Sequence, residues 1–237
     1  PSPFDPRLIL RIAPAVAKAA MESGVATRPI KNFDEYTALL ERFAFRSGLV
    51  MKPMFAKAKT QPVRVIYAEG EDERVLRATQ VVLEEKLARP ILVGRPSVGE
   101  ARINRFGLSI KAGTDFDLVN PEDDPRYRSY VQSYIEIAGR RGVTPDAART
   151  VVRTNATVIA ALAVVRGEAD AMICGVEGRY MSHLRHVREI IGFMPGVSDY
   201  AALALTITSK GAYFIGDTQV RPNPTAEELA EMASLAA

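Results

Sequence analysis

Between Val63 and Val93 the chain reads strand, helix, strand, and this one stretch limits the fold more than any other. Val63-Arg64-Val65-Ile66-Tyr67-Ala68 is rich in β-branched and apolar residues, as strands are. Val75, Leu76, Thr79, Val82, Leu83 and Leu87 recur on one helical face, and Ile91-Leu92-Val93 returns as a strand before Gly94. Two strands joined by a single helix within about 30 residues make a βαβ unit, which requires parallel strands and a right-handed crossover.

The alternation continues downstream. Tyr127, Tyr130, Val131, Tyr134, Ile135 and Ala138 mark an amphipathic helix that closes at Gly142. Thr144-Pro145 caps a short helix, and Thr154 or Asn155 caps the next, from Val158 to Arg166. Residues 170–174 read as a buried strand running into Gly175, and 201–208 with 212–215 as a strand pair around Ser209-Lys210-Gly211. Upstream the chain is helical: Asp5-Pro6 is a good helix start, Pro14 divides the following pattern in two, and the second piece stops at Gly24. Asn32 with Glu35 opens another helix, which ends near Ser47-Gly48, and residues 49–61 change composition and read as a linker. The fold class is α/β, preceded by a helical segment.

Composition excludes several classes. Hydrophobic residues at 47% and charged residues at 25% exclude a disordered chain, and 237 residues allow one large domain or two small ones. No uncharged apolar run approaches the roughly 18 residues of a bilayer span, and no N-terminal signal pattern appears. A single Cys makes neither an internal disulfide nor a multi-Cys zinc site, which fits a reducing, cytoplasmic setting. The net charge of +3 is too small to imply a nucleic-acid partner. It is unevenly spread: residues 126–188 carry ten Arg and five acids, whereas 189–237 carry six acids and two basic residues. Thr225 and Glu228 form a capping box for a last helix with no stop signal, so the sequence is expected to be a window from a longer protein.

Two strand-to-helix turns hold most of the chemistry. Glu69-Gly70-Glu71-Asp72-Glu73 stands where a dinucleotide fold places its Gly-rich phosphate loop. Four acids suit the positive end of a helix but repel phosphate, so this turn reads as acidic capping and not as a Rossmann-type NAD(P) site. The turn from Cys174 to Arg188 is the opposite. Gly175 and Gly178 allow a tight turn with exposed amides, and Arg179, Arg185 and Arg188 crowd the start of the helix with His183 and His186. Arginine grips phosphate or carboxylate through paired planar hydrogen bonds, so this is the best anionic-ligand site in the sequence; a solvated basic face or an oligomer contact is the alternative. Asp217, after Gly216, is a further polar candidate, against a turn-forming role. Cys174 reads as a packing residue, the His183/His186 pair as no metal site, and the Tyr127/Tyr130/Tyr134 stripe as core.

Three stretches resemble phosphotransacetylases. Tyr67-Ala68-Glu69-Gly70-Glu71-Asp72-Glu73-Arg74-Val75-Leu76 is similar to that family's "PEGxDxRVLxA" opening, and the stretch from Arg166 to Gly175 to its "GEADGLVSGA" segment. The stretch from Gly216 to Ala230 resembles "DxxVxPxPTAExLAEIA". The resemblance implies a three-layer α/β/α fold, like that of isocitrate and isopropylmalate dehydrogenases, over residues 62–237 and incomplete at the C-terminus. The stretches Pro1 to Leu8, Ala15 to Ala20 and Gly24 to Ile30 resemble the end of a bacterial malic-enzyme domain. Together they are similar to the large bacterial NADP-dependent malic enzymes. That implies the last helices of a malic-enzyme domain over 1–48, a linker over 49–61 and a truncated phosphotransacetylase-like domain over 62–237. It also implies a parent that oxidises and decarboxylates malate to pyruvate with NADP and Mg²⁺ or Mn²⁺. Those sites would lie upstream of Pro1, leaving no cofactor, metal or catalytic residue in this segment.

Departures from the family pattern shape the functional expectation. Where active phosphotransacetylases have "HSTAD" and then "VRPALQII", this chain has Gly178-Arg179-Tyr180-Met181-Ser182, and Arg185 matches the family arginine. The family's catalytic Ser-Arg pair and Asp belong to a later "NDLSRG" segment that this sequence lacks. The resemblance thus implies a regulatory domain that binds acetyl-CoA through Gly175, Gly178, Arg179, Arg185, Arg188 and Asp217. It would act on its own malic-enzyme domain within a homo-oligomer, with no nucleic acid and no membrane. The alternatives are an active phosphate acetyltransferase, converting acetyl-CoA and phosphate to acetyl phosphate and CoA, and a purely structural oligomerisation module.

Overall fold

The computed structural model describes residues 7–44, 48–208, 210–217 and 219–237. Helices α1 (Arg7–Glu22), α2 (Phe33–Ala44) and α3 (Gly48–Thr60) come first. Then follow β1 (Val63–Tyr67), α4 (Glu73–Glu84), β2 (Ala88–Val93), α5 (Pro96–Arg105), β3 (Asp117–Val119) and α6 (Tyr127–Ala138). The chain continues with α7 (Pro145–Thr154), α8 (Ala156–Val165), β4 (Ala171–Ile173), α9 (Tyr180–Ile190), β5 (Leu203–Thr208), β6 (Gly211–Gly216) and α10 (Ala226–Ala236). These elements divide into two compact units, Lys57–Tyr200 and Pro1–Ala56 with Ala201–Ala237.

In Lys57–Tyr200 the predicted βαβ unit is present. Four parallel strands lie in the order β3-β2-β1-β4, with Val63 opposite Ala88 and Val65 opposite Ala171. Alternate strand residues serve opposite faces, as in a parallel sheet covered on both sides. Ile66, Ala68, Ile91 and Val93 join Tyr130, Tyr134, Val152 and Leu162 from α6, α7 and α8. Tyr67 and Leu92 join Val75, Leu76, Ile103 and Phe116 on the α4 and α5 side. The result is the expected three-layer arrangement. Helix α8, Ala-Thr-Val-Ile-Ala-Ala-Leu-Ala-Val-Val, is buried at every residue from Thr157 to Ala163, which suits a helix with no polar face. Burying Ile159 and Leu162 stabilises the fold by about 2 kcal/mol each.

Several local expectations are corrected. Residues 170–174 are not a buried strand: β4 has three residues, and Ile173 is 48% exposed. It is an edge strand of the described sheet, and its Met172 alone among the three packs against the core. Pro14 does not divide its helix; α1 runs unbroken and closes at Gly24, whose φ is 74°. A mid-helix proline costs about 3 kcal/mol, so contact with α2 rather than propensity keeps α1 whole. Within the expected linker the chain is helical as far as Thr60, because Ala56, Lys57, Ala58 and Lys59 are strong helix formers. The predicted start at Asp5-Pro6 and the end near Ser47 lie outside the described residues.

Caps read from sequence are in place. The Thr144 hydroxyl accepts from the Ala147 amide, and the Asn155 side chain accepts from the Val158 amide, both at 3.3 Å. Thr225 and Glu228 cap each other's amides reciprocally. In the smaller unit β5 and β6 form the expected antiparallel pair, Leu203 opposite Gly216. No single helix among the described residues is long and apolar enough to cross a membrane.

Candidate functional site

Strand order decides where a ligand can sit. β1, β2 and β3 progress in one direction and β4 lies on the other side of β1, so the order reverses between β1 and β4. Open parallel sheets bind ligands beyond the strand ends at that reversal. Two turns meet there, the acidic one after β1 and the basic one after β4.

In the basic turn Gly175 and Gly178 have φ of 96° and 93°, a left-handed conformation that costs other residues about 1–3 kcal/mol. Arg179 is the N-cap of α9, and its side chain makes no capping hydrogen bond. Arg179 and Arg185 are exposed, and the guanidinium of neither has a hydrogen-bond or ion-pair partner among the described residues. They lie about 9 Å apart along the helix axis, given the rise per residue. Arg188 is engaged differently: its guanidinium stands 5.5 Å from the ring centroids of both Phe193 and Tyr200. Asp217 belongs to the other compact unit, has a φ of 45°, and accepts from the amides of Val220 and Arg221 at 3.1 and 3.0 Å. Of the six expected residues, Gly175, Gly178, Arg179 and Arg185 share the turn after β4 and the start of α9, and the Arg179 and Arg185 guanidinia make no hydrogen bond or ion pair among the described residues.

The acidic turn is closed by its own contacts. Glu69 Oε1 accepts the Gly175 amide at 2.9 Å. Both Glu71 oxygens accept from the Arg95 guanidinium at 2.9 Å, which holds this carboxyl below its usual range. Asp72 caps α4 by accepting from the Arg74 amide at 2.8 Å. The Arg74 guanidinium draws the Asp72 carboxyl down from 3.8 to about 2. Glu73 pairs with Arg77 at 2.8 Å. A crevice of about 240 Å³ beside this turn is lined by Glu69, Asp72, Glu177 and Arg102, a mostly acidic wall that disfavours phosphate.

His183 and His186 point to different partners, the Thr157 hydroxyl at 2.8 Å and the Asn155 amide nitrogen at 3.0 Å. Burial pushes the His186 pKa down, favouring a neutral ring. Among the described residues no group of three or more His, Cys, Asp or Glu is arranged to hold a metal ion. Burial, with Glu69 nearby, pushes the Cys174 thiol up, which keeps it a poor nucleophile. Tyr130 and Tyr134 are core residues. Sequence reasoning missed a second cavity of about 420 Å³, floored by Leu76, Leu92, Ile103 and Phe116. Gly94 and Pro96 at a strand-to-helix turn were the only signal for it.

A model of the phosphate acetyl/butaryl transferase family matches residues 49–237. Over its full length the chain is 64% identical to the NAD-dependent malic enzyme of Rhizobium meliloti and 52% identical to the NADP-dependent malic enzyme of Escherichia coli. It spans 31% of the length of each. A solved phosphotransacetylase from Staphylococcus aureus superposes with a TM-score of 0.68 at 26% identity, covering 77% of this chain and 55% of that one. The parallel sheet, its covering layers and the matched span agree: the chain belongs to the phosphate acetyl/butaryl transferase family.

Proposed function

We propose that the chain is the acetyl-CoA-responsive part of a malic enzyme, a region that binds acetyl-CoA at the Gly175–Arg185 turn and shifts the activity of a malic-enzyme domain in the same polypeptide. The observation that carries this reading is the pair of guanidinia, Arg179 and Arg185, without a partner among the described residues at the start of α9. Two guanidinia spaced along a helix suit the separate phosphates of CoA. Full-length similarity to part of two malic enzymes supports the parent reaction, oxidative decarboxylation of malate to pyruvate. The coenzyme would be NADP or NAD, one relative being named for each, and the metal Mg²⁺ or Mn²⁺, all bound outside this segment. The setting would be a cytoplasmic homo-oligomer. Regulation then needs only two states of that assembly with different acetyl-CoA affinity.

Calorimetric titration of the intact protein tests this. Acetyl-CoA is expected to bind, and Arg185→Ala to weaken it about tenfold. No binding, or an unchanged response in the variant, overturns the reading. Family membership favours a second reading, a working phosphate acetyltransferase. A free-thiol assay with acetyl-CoA and phosphate decides it, and no CoA release above background removes it. An assembly role is favoured by the exposed strand pair, where Tyr213 and Phe214 are 51% and 67% exposed. On that reading, deleting the residues after 62 alters oligomeric mass and leaves acetyl-CoA sensitivity untouched.

A further inference from the structure

We propose that His183 is the positioning residue of the basic turn, a clamp that fixes where its glycines and Arg179 point; this rests on the reading of that turn as an anion site. The peptide groups from Gly175 to Glu177 are each held by a side chain from a different element. Glu69 accepts the Gly175 amide at 2.9 Å, Arg74 Nη2 donates to the Val176 carbonyl at 3.2 Å, and His183 Nε2 lies 2.6 Å from the Glu177 carbonyl. On its other side His183 Nδ1 lies 2.8 Å from the hydroxyl of Thr157, which is 3% exposed on the central helix α8. The Glu69 carboxylate stands 3.8 Å from the same nitrogen.

For the neutral ring these partners fix the tautomer. A carbonyl oxygen only accepts, so Nε2 carries the proton, and in the neutral ring Thr157 donates to Nδ1. The ring also fills the space against the turn: a Cβ on Gly178 would lie 2.9 Å from Nε2. The bare Cα at 178 and the imidazole at 183 are therefore complementary. The turn is set by a rigid ring anchored in the buried helix, and a ligand meets donors already ordered, which lowers the entropic cost of binding. His183 does this from the inner side of the turn, through its two hydrogen bonds.

The test compares His183→Gln with His183→Phe in the intact protein, using acetyl-CoA and inorganic pyrophosphate as probes. Glutamine supplies one donor side and one acceptor, as the neutral ring does; phenylalanine keeps a flat ring and supplies neither. His183→Phe is expected to weaken both probes about tenfold and to speed amide exchange at 175–178, while His183→Gln stays within about threefold of wild type. Equal behaviour of the two variants overturns the proposal. Nitrogen NMR of the wild type at pH 8 reads the tautomer without any variant, and an Nδ1-protonated ring overturns it as well. If the wild type binds neither probe, the anion-site reading fails, and exchange rates with the tautomer still decide whether His183 holds the turn.

Discussion

The two turns at the sheet edge leave neighbouring parallel strands, Tyr67 opposite Ile173, and both enter helices, yet they use charge in opposite ways. After β1 the four carboxylates are all engaged within the protein: Glu69 on an amide, Glu71 on Arg95, Asp72 on Arg74 and Glu73 on Arg77. After β4 two guanidinia, Arg179 and Arg185, engage none of the described residues. Charge density alone does not distinguish the two turns; what distinguishes them is whether the described residues satisfy the charge. The acidic turn even supports the basic one, through Glu69 and Arg74.

The largest test breaks the acidic turn. In Gly70→Ala the new Cβ would lie 2.7 Å from the Val93 carbonyl oxygen and 2.9 Å from its nitrogen, main-chain atoms that cannot turn aside. The expected cost is about 3 kcal/mol, near 10 °C in a calorimetric melt of a unit this size; an unchanged melt would show that the close approach is not required. On the basic turn, if the proposed function holds, the double change Arg179→Ala with Arg185→Ala should weaken acetyl-CoA by roughly a hundredfold and leave the melting temperature within about 2 °C. A large drop in melting temperature would mean that these arginines are structural after all. Arg188→Ala sits between the two cases: losing its contact with Phe193 and Tyr200 should cost about 0.5–1 kcal/mol in the same melt, with acetyl-CoA affinity within about twofold.

The smallest effect appears only in acid. Asp72 titrates at about 2 in the folded chain against an ordinary 3.8, so the unfolded state takes up the proton first. Its contribution is full above about pH 4 and is lost as pH falls through about 2. Asp72→Asn keeps a capping oxygen and removes the titration. Its melting temperature should fall less steeply than wild type between pH 4 and pH 2, and parallel slopes would exclude Asp72 as a source of acid sensitivity.

The legible parts of the fold were those where one residue pattern answers to one environment. β1 and β2 are β-branched and apolar because both faces are covered, and α8 has no polar face because it is central. β3 and α5 were not legible: a three-residue strand carries no period, and α5 opens on Pro96 and contains Gly99. The exposure of β4 depends on what lies beside it, which its own apolar residues do not encode. At the site, the glycines and arginines were readable from residue type, but the fate of Arg188 depended on rings in the segment after α9. His183 and His186 stand three residues apart on α9, yet their rings diverge to Thr157 and Asn155. Thr157, the one polar residue in the apolar run of α8, was the available signal that a side chain had to meet it there.

Two hydrogen-bonded contacts join stretches that lie 106 positions apart: Arg64 with Asp170, at 2.7 Å, and Glu69 with the Gly175 amide. The stretch that opens the sheet and the one that ends in the basic turn are thus two halves of one joint. A graft that exchanges one half for the counterpart from a distant relative would separate them, whereas a graft of both would carry the joint intact. For anyone recombining such proteins, the exchangeable module is the pair, and its boundaries follow the contacts rather than the order of the residues.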